Sequence, residues 1–556
     1  MRLTGSQILI RVLLEQGVDT IFGYPGATVL DIYDTLYDHA HEITHVLTAH
    51  EQGAAHAADG YARATGKVGV VFATSGPGAT NLVTGIATAY LDSVPVVAIT
   101  GNVACAQIGR DAFQEVDITG VTMPVTKHNF FVNKVSKLAD TVREAFRIAQ
   151  SDRPGPVLVD IPRDIQSAVC EYTPAPAVQL RAAQPVDREA AAAAAARLAQ
   201  AARPCLYVGG GVVTAEAGQA ALALAEKLDA VITSSLMGIG AVPDDAPRYL
   251  GMQGMHGRYA ADRAMSRADV VVALGARFSD RATGNKDRFC PDADIIHIDV
   301  DPAEIDKNVE AAIGLTGDVR QILETLTESV EEKRLPDWQA EIGRYRAEGE
   351  RLGSGGADAP KALIDAVNRI KTDDTPVVTD VGQHQMWTAQ FARILKPRTF
   401  LSSGGLGTMG FGMGAAIGAS IATGKRAVLI TGDGCFGMNL NELATAVRYG
   451  VPLTVVLMRN GTLGLVRQSQ TLFFGGRYSA TTLDRQTDFV KLAEAFGATG
   501  ARCTDAASFE RTLADSFASD GVWVLDCPIA PDALVLPMIP PGGSVSDIIT
   551  AVDVED

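Results

Sequence analysis

Short apolar runs that alternate with helical patterns along 556 residues predict an α/β protein of three domains, each a mainly parallel sheet flanked by helices. Three observations carry this expectation. The runs end in turn residues where a ligand could meet a strand's carboxyl end: Phe22 to Gly26, Thr74 to Gly78, Leu206 to Gly211 and Arg426 to Gly434. Helix-length amphipathic or alanine-rich stretches separate them. A composition of 47% apolar and 20% charged residues is that of a globular chain large enough to bury several cores.

The same composition excludes several partners. A formal charge of −17, with no cluster of Lys and Arg, argues against nucleic acid or an acidic membrane surface. The seven cysteines (Cys105, Cys170, Cys205, Cys290, Cys435, Cys503, Cys527) are scattered and contain no C-x-x-C pair, so reduced thiols are expected in place of zinc or disulfide frameworks. Met1 to Gly17 carries Arg2, Arg11 and Glu15 on a helical pattern, and no apolar run reaches about 18 residues. A cytoplasmic protein handling small molecules follows.

Taken in order, an amphipathic helix from Ser6 to Gln16 leads into the strand Thr20 to Gly26. Next come Val46 to Thr48, the helix Glu51 to Thr65, Val68 to Thr74, a helix to Tyr90, Pro95 to Thr100 and Pro156 to Ile161. Residues 1–170 form the first domain, and Tyr172 to Pro185, rich in Pro and Ala, reads as a linker. Asp187 caps an alanine-rich helix that opens a central domain, residues 186–345, with strands at Leu206 to Val208, Val270 to Leu274 and Ile295 to Val300. This domain fades in one charged helix from Gln321 to Arg351. After the glycine linker Gly353 to Gly356, the third domain spans 358–540. Its strands are Pro376 to Thr379, Thr399 to Leu401, Ala427 to Ile430, Leu453 to Leu457 and Val522 to Asp526, and a tail, 541–556, follows. No internal repeat is visible.

Chemistry concentrates between Gly432 and Asn460. Gly432-Asp433-Gly434 stands between a buried strand and a helix, where glycines let the backbone approach a phosphate and the helix offers unpaired N–H groups. A tight strand-to-helix connection would use the same residues. Asn460, about one strand-helix-strand unit further on, supplies with Asp433 a second hard oxygen, which suits magnesium beside a diphosphate. Glu51 opens a helix directly after a strand. An acidic first turn is a common dipole effect, and a half-buried carboxylate there could also hold a proton on a heterocycle nitrogen. Gly209-Gly210-Gly211 is a weak dinucleotide signal, and Asp299 ends a strand from which a carboxylate reaches ribose hydroxyls. His128, His256 and His384 each admit a general-base reading, although a histidine beside glycines and arginines more often only satisfies hydrogen bonds.

These motifs resemble the thiamine diphosphate pattern, and nearly the whole chain is similar to the catalytic subunit of the acetolactate synthase (acetohydroxyacid synthase) family. The matching stretches, in common order, include Phe22 to Gly26, His50 to Lys67, Thr74 to Asn81, Asp111 to Glu115, Arg153 to Val157, Gly251 to Gly257, Gly275 to Phe278, Val381 to Trp387 and Gly404 to Gly412. The resemblance implies a pyrimidine-binding domain, a central FAD-holding domain and a diphosphate-binding domain. It also implies a homodimer or tetramer whose sites lie between subunits, a small regulatory subunit, and the cofactors thiamine diphosphate, Mg2+ and a structural FAD. Glu51 would act on the aminopyrimidine, with Gly407 offering it a carbonyl and Met409 lying under the bend between the rings. Val381, Gly382, Gln383 and His384 would line the diphosphate with Gly432, Asp433 and Gly434, and the Thr462 carbonyl would join Asp433 and Asn460 on the metal. Gln114 and Arg163 would face the substrate channel. In the central domain Arg277 and Arg281 would bind the pyrophosphate, Asp299 the ribose, and Gly317-Asp318 the adenine end, beside Gly209, Gly210 and Gly211. Pro25, Gly26, Arg153, Leu236, His256 and Gly275 complete the cofactor-contacting set.

The implied reaction decarboxylates pyruvate and adds the two-carbon unit to a second 2-oxo acid, giving 2-acetolactate or 2-aceto-2-hydroxybutyrate on the route to branched-chain amino acids. Rival readings are pyruvate oxidase, sulfoacetaldehyde acetyltransferase, or a nucleotide-binding regulatory protein that kept the fold without the chemistry. Glyoxylate carboligase is disfavoured, since it lacks the glutamate that Glu51 supplies. Arg163 stands where the family usually has Lys and Ser279 where it usually has Asp; Ala27 and Met413-Gly414 also depart from its pattern.

One departure generates a prediction. Ser469 occupies a place where most of the family carries a tryptophan at the mouth of the channel. Losing apolar contact with one methyl or methylene is worth roughly 1–3 kcal/mol, so the chain should discriminate weakly between 2-oxobutyrate and pyruvate as acceptors and tolerate sulfonylureas. A competition assay repeated with Ser469→Trp should show acceptor preference and inhibitor sensitivity rising together. Strong preference in the unaltered protein would exclude this role.

Overall fold

The computed structural model describes residues 1–180 and 184–551; residues 181–183 of the expected linker and 552–556 of the expected tail lie outside the described residues. Among the described residues the three domains are each built on a six-stranded sheet. The chain opens with β1 (Arg2–Thr4) and then lays down β2 (Thr20–Tyr24), β3 (Thr44–Leu47), β4 (Gly69–Ala73), β5 (Val96–Asn102), β6 (His128–Phe131) and β7 (Val157–Pro162), which pair in parallel in the order β3-β2-β4-β5-β7-β6. A short β8 (Val169–Glu171) returns antiparallel to β1. The central sheet holds β9 (Pro204–Val208), β10 (Val231–Ser234), β11 (Tyr249–Met252), β12 (Val270–Leu274), β13 (Asp294–Asp299) and β14 (Ile313–Thr316) in the order β11-β10-β9-β12-β13-β14. That is the doubly wound order of dinucleotide-binding sheets. The third sheet holds β15 (Val377–Thr379), β16 (Phe400–Leu401), β17 (Ala427–Gly432), β18 (Leu453–Arg459), β19 (Thr499–Arg502) and β20 (Val522–Pro528) in the order β16-β15-β17-β18-β20-β19.

Ranked along the chain, the strand orders of the first and third sheets are the same. The fold therefore repeats where the sequence shows no repeat, because a sheet order is fixed by hydrophobic patterning and crossover handedness, which many sequences share. Helices Glu51–Thr65 and Phe411–Thr423 stand at equivalent places, each following the edge strand of its sheet, and they pack on one another. Their shared face is built of glycine and alanine. A Cβ on Gly418 would lie 1.9 Å from the Ala57 carbonyl oxygen, one on Gly60 2.2 Å from that of Ala415, and one on Gly414 2.6 Å from that of Gly53. Backbone thus meets backbone. His56, fully buried between the helices, packs edge-on against Phe411, and burial depresses its pKa to about 3, so it is a neutral ring. Arg63 lies over the Phe411 ring, 5.2 Å from its centroid, while pairing with buried Asp59 and Asp92.

The structure departs from expectation at several places. The chain from Arg2 to Thr4 is a strand, and the helix starts at Gly5, capped by the Thr4 hydroxyl. The charged helix foreseen from Gln321 to Arg351 is two helices, Val319–Ser329 and Pro336–Leu352. Pro336 lacks an N–H and holds Leu335 out of the helical region, yet suits the first turn of the second helix. The expected linker begins as structure: Tyr172 is buried, its N–H bonds the Met1 carbonyl at 2.8 Å, and its hydroxyl donates to Glu15. Strands β6, β10, β11, β14 and β19 are too short or too irregular in pattern to stand out from the sequence.

The helix pair generates a prediction. Gly418→Ala forces two backbones apart, which should destabilise by about 1–3 kcal/mol as overpacking does. Gly343→Ala, in an exposed helix interior with open space around its Cβ, should be neutral or mildly stabilising. In thermal melts the midpoint of Gly418→Ala should fall clearly below that of Gly343→Ala; equal midpoints would show that the close approach is not limiting.

Candidate active site

The sheet order puts a topological switch in each outer domain, at β2/β4 in the first and β15/β17 in the third, and the predicted residues gather at the carboxyl ends of those strands. At the first switch, Gly26 follows β2 so closely to β4 that a Cβ would lie 2.5 Å from the Thr74 side chain. Thr28 and Thr74 share a hydroxyl hydrogen bond of 2.9 Å, and the Ser75 N–H donates to the Thr28 hydroxyl at 3.0 Å. Glu51 begins the helix that His50 caps, the His50 ring accepting from the Gln52 N–H. Its carboxylate is buried, accepts from the Asn81 amide at 2.9 Å, and overlies Gly78, where a Cβ would sit 3.2 Å from Oε1. Gln114, in a left-handed conformation after β5, closes on Gly76 within 3 Å of where its Cβ would be. Arg163, just after β7, is exposed, and its guanidinium lies 3.9 Å from the Asp31 carboxylate. One sheet edge therefore holds Pro25, Gly26, Glu51, Gln114 and Arg163.

At the second switch Val381-Gly382 follows β15 and Gly432-Asp433-Gly434 follows β17, so the helices Gln383–Phe391 and Asp433–Asn439 both start at the crevice. Two helix starts and a glycine-lined backbone make a place for an anion. Burial raises the pKa of Asp433, whose Oδ2 accepts from the Gly461 N–H at 3.0 Å while Oδ1 is enclosed without any donor. The Asn460 side-chain oxygen accepts from the Thr462 N–H at 3.0 Å, and the Thr462 hydroxyl is likewise enclosed and unpartnered. Enclosed oxygens without donors are what a hard divalent cation takes up. Met409 lies beside Gly434, its methyl 3.6 Å from where a Cβ would be, and Gly407 neighbours Val381. Asp380 organises this loop: fully buried, it accepts from the N–H groups of Gly410 and Val381 and from the Thr431 hydroxyl, and burial lifts its pKa to about 6.

The histidines are placed for binding more than for proton transfer. His384 lies under both glycine turns, close to Cβ positions on Gly382 and Gly432, and desolvation lowers its pKa to about 3. His256 is lowered to about 4 by the same cause. Both are neutral rings near neutral pH with one enclosed nitrogen unpartnered, Nε2 of His384 and Nδ1 of His256. His128 stacks edge-on with Phe130 at 4.4 Å. Ser469 is half-buried on the helix Gly464–Phe473, its hydroxyl returned to the Leu465 carbonyl.

The central sheet brings Gly209 and Gly211 against Gly275 at its own switch, β9/β12, with backbone contacts that exclude side chains. The guanidinium of Arg277, half-buried beside Asp92, Glu304 and Asp299, makes no hydrogen bond or ion pair among the described residues, although the Arg277 carbonyl accepts from the Asn308 amide at 2.8 Å, and burial lowers its pKa. A guanidinium in that condition suits a phosphate. Asp299 is buried with its pKa raised to about 6, and Gly317 bonds back to the Asp299 carbonyl. Arg153 is engaged by Ser93 and Glu304, Asp318 caps the helix Val319–Ser329, and Arg281 points outward near Asp280 and Met255.

Sequence reasoning missed Glu442, Asp380 and Asn81. Glu442, fully buried, accepts from the N–H groups of Ala49 (3.2 Å) and His50 (3.0 Å), the two residues before Glu51, and from the Thr445 hydroxyl. It ties the end of the Asp433 segment to the start of the Glu51 helix. No spacing along the chain announces such a contact, since the partners are some 390 positions apart.

Three family models match in order along the chain: the thiamine pyrophosphate enzyme N-terminal binding domain at residues 3–121, the central domain at 191–326, and the C-terminal binding domain at 380–527. Relatives are similar over almost the full length. The acetolactate synthase of Mycobacterium bovis is 47% identical over 99% of this chain and 92% of its own. The large subunit of acetolactate synthase isozyme 2 from Escherichia coli is 47% identical over 98% and 99%. A probable acetolactate synthase large subunit from Methanocaldococcus jannaschii is 46% identical over 99% and 96%. On this evidence the chain belongs to the acetolactate synthase large-subunit family of thiamine pyrophosphate enzymes.

Proposed function

We propose that this chain is a thiamine diphosphate-dependent carboligase that decarboxylates pyruvate and joins the two-carbon unit to a second 2-oxo acid. The single observation that carries the reading is the enclosed, donor-free oxygen of Asp433 beside Asn460, at a crevice where two helices start. When bound, thiamine diphosphate supplies a ring carbon that stabilises negative charge on the substrate's former carbonyl carbon. Asp433, Asn460 and the Thr462 carbonyl hold the magnesium that neutralises the diphosphate. Val381 to His384 and Gly432 to Gly434 line the phosphates, while Gly407 and Met409 orient the rings. Glu51 holds a proton on a pyrimidine nitrogen, the task for which a buried carboxyl group is suited. Gln114 and Arg163 face the 2-oxo acids.

Glu51 and Asp433 lie on different domains, and the partners of the Glu51 side chain among the described residues, Asn81 and Gly78, belong to the first. This supports a site shared between the first domain of one subunit and the third of another, in a homodimer or tetramer. Arg277, Asp299 and the glycines of the central switch support a structural FAD there, with Arg153, Leu236, His256, Arg281, Gly317 and Asp318 around it. Relatives named as large subunits support a small regulatory partner.

Product analysis with pyruvate alone, with and without phosphate, tests the reading: acetolactate supports it, and acetyl phosphate would favour an oxidase. Two variants should separate the roles. Asp433→Ala should abolish tight thiamine diphosphate binding by titration. Glu51→Gln should keep cofactor and metal but slow exchange of the thiazolium C2 proton by about 10²-fold or more. Wild-type exchange in the second variant would remove Glu51 from the chemistry.

A further inference from the structure

Outside the site just described, the central domain holds a cavity of about 420 Å³, between the helices Tyr259–Arg267 and Pro336–Leu352 and the C-terminal segment from Ile539 to Ser546. None of the residues proposed above for FAD or thiamine diphosphate lines it. Its charge is the reverse of the molecule's. In a chain of net charge −17, the charged residues of this lining are three arginines, Arg263, Arg267 and Arg288, against one carboxylate, Glu341.

That carboxylate is partly spent, since Glu341 accepts the Tyr345 hydroxyl and lies 3.7 Å from Arg267. Arg288 is held by Asp547 and Ser546. Arg263 is not so held: its guanidinium stacks over the Tyr345 ring at 5.5 Å, and its Nε is enclosed without an acceptor. Among the described residues the terminal nitrogens of Arg263 have no hydrogen-bond or ion-pair partner, so this guanidinium lines the cavity without a counter-charge and suits acceptor oxygens.

The rest of the lining says what carries those oxygens. Ser266, Ser544 and Ser546 add hydroxyls near the arginines, whereas Met265, Phe289 and Ile539 give an apolar wall. Inorganic phosphate would satisfy the donors and leave most of the volume empty; a site of this size takes a small organic molecule. We propose that this cavity binds an organic phosphate of mononucleotide size, with the phosphate on Arg263 and Arg267 and the ring against Phe289. The C-terminal segment forms one wall, latched by the Ile539 N–H to the Met255 carbonyl and the Asn285 N–H to the Gly543 carbonyl.

The test is titration calorimetry on holoenzyme saturated with thiamine diphosphate, magnesium and FAD, using adenosine 5′-monophosphate, adenosine and inorganic phosphate as probes. The monophosphate should bind, with adenosine at least about tenfold weaker, because the charge-assisted bonds are lost. Arg263→Ala and the exposed Arg267→Glu should each weaken the monophosphate by about tenfold or more while flavin content stays unchanged. No binding of the monophosphate, equal binding of adenosine, unchanged affinity in both variants, or release of flavin on titration would each overturn the assignment.

Discussion

The contact on which the rest of this structure depends is the backbone-to-backbone packing of the helices Glu51–Thr65 and Phe411–Thr423. Glycines at 60, 414 and 418 let carbonyl oxygens approach where any side chain would intrude. Each helix begins at the carboxyl edge of its own sheet, so their approach sets how the two sheet edges face outward. The polar groups trapped at this junction are managed accordingly. Arg63 is shared by Asp59, Asp92 and the Ser402 carbonyl, and His56 is left neutral. A wider crossing would strand those charges in a low-dielectric interior without partners, which is the costly outcome for a buried ion pair.

Glu442 extends the same constraint to the chemistry. It takes the N–H groups just ahead of Glu51, which a helix start leaves unpaired, and does so from the segment that Asp433 opens. The position of Glu51 is thus set by the third domain as well as by its own. In the role proposed for Glu51, a carboxylate holding one proton on one ring nitrogen would tolerate little displacement, and an acceptor on the neighbouring backbone fixes it more rigidly than side-chain packing alone.

Much of this was legible in the sequence, for reasons that can be named. Strands buried on both faces are continuous apolar runs, so β5, β12, β17 and β18 stand out, and the glycines that follow them mark where backbone approaches a ligand. Asp433 and Asn460 could be picked out together because each directly follows one of two neighbouring parallel strands. What was not legible depends on contacts made only after folding. The break before Pro336 was masked by a charge pattern continuous across it, and Tyr172 looked like linker because its partners, Met1 and Glu15, lie at the far end of the domain. Asp380 carries no motif; its role comes from a loop, Gly407 to Gly410, folded back over it.

The candidate site also has a consistent electrostatic logic. Burial raises the pKa values of Asp380, Asp433 and Glu442, and lowers that of His384, so each group is pushed toward its uncharged form. Asp380 and Glu442 offset this with several N–H and hydroxyl donors each. Asp433 has donors on one oxygen only, and its other oxygen is enclosed. It is therefore the carboxylate at this crevice that gains most from a cation, and a diphosphate brought to two helix starts would raise that demand further. With His384 neutral beneath the glycine turns, its imidazole adds no positive charge there. Charge at the crevice would thus be left for a bound cation to balance, and the neighbouring polar groups serve to hold the backbone in place around it.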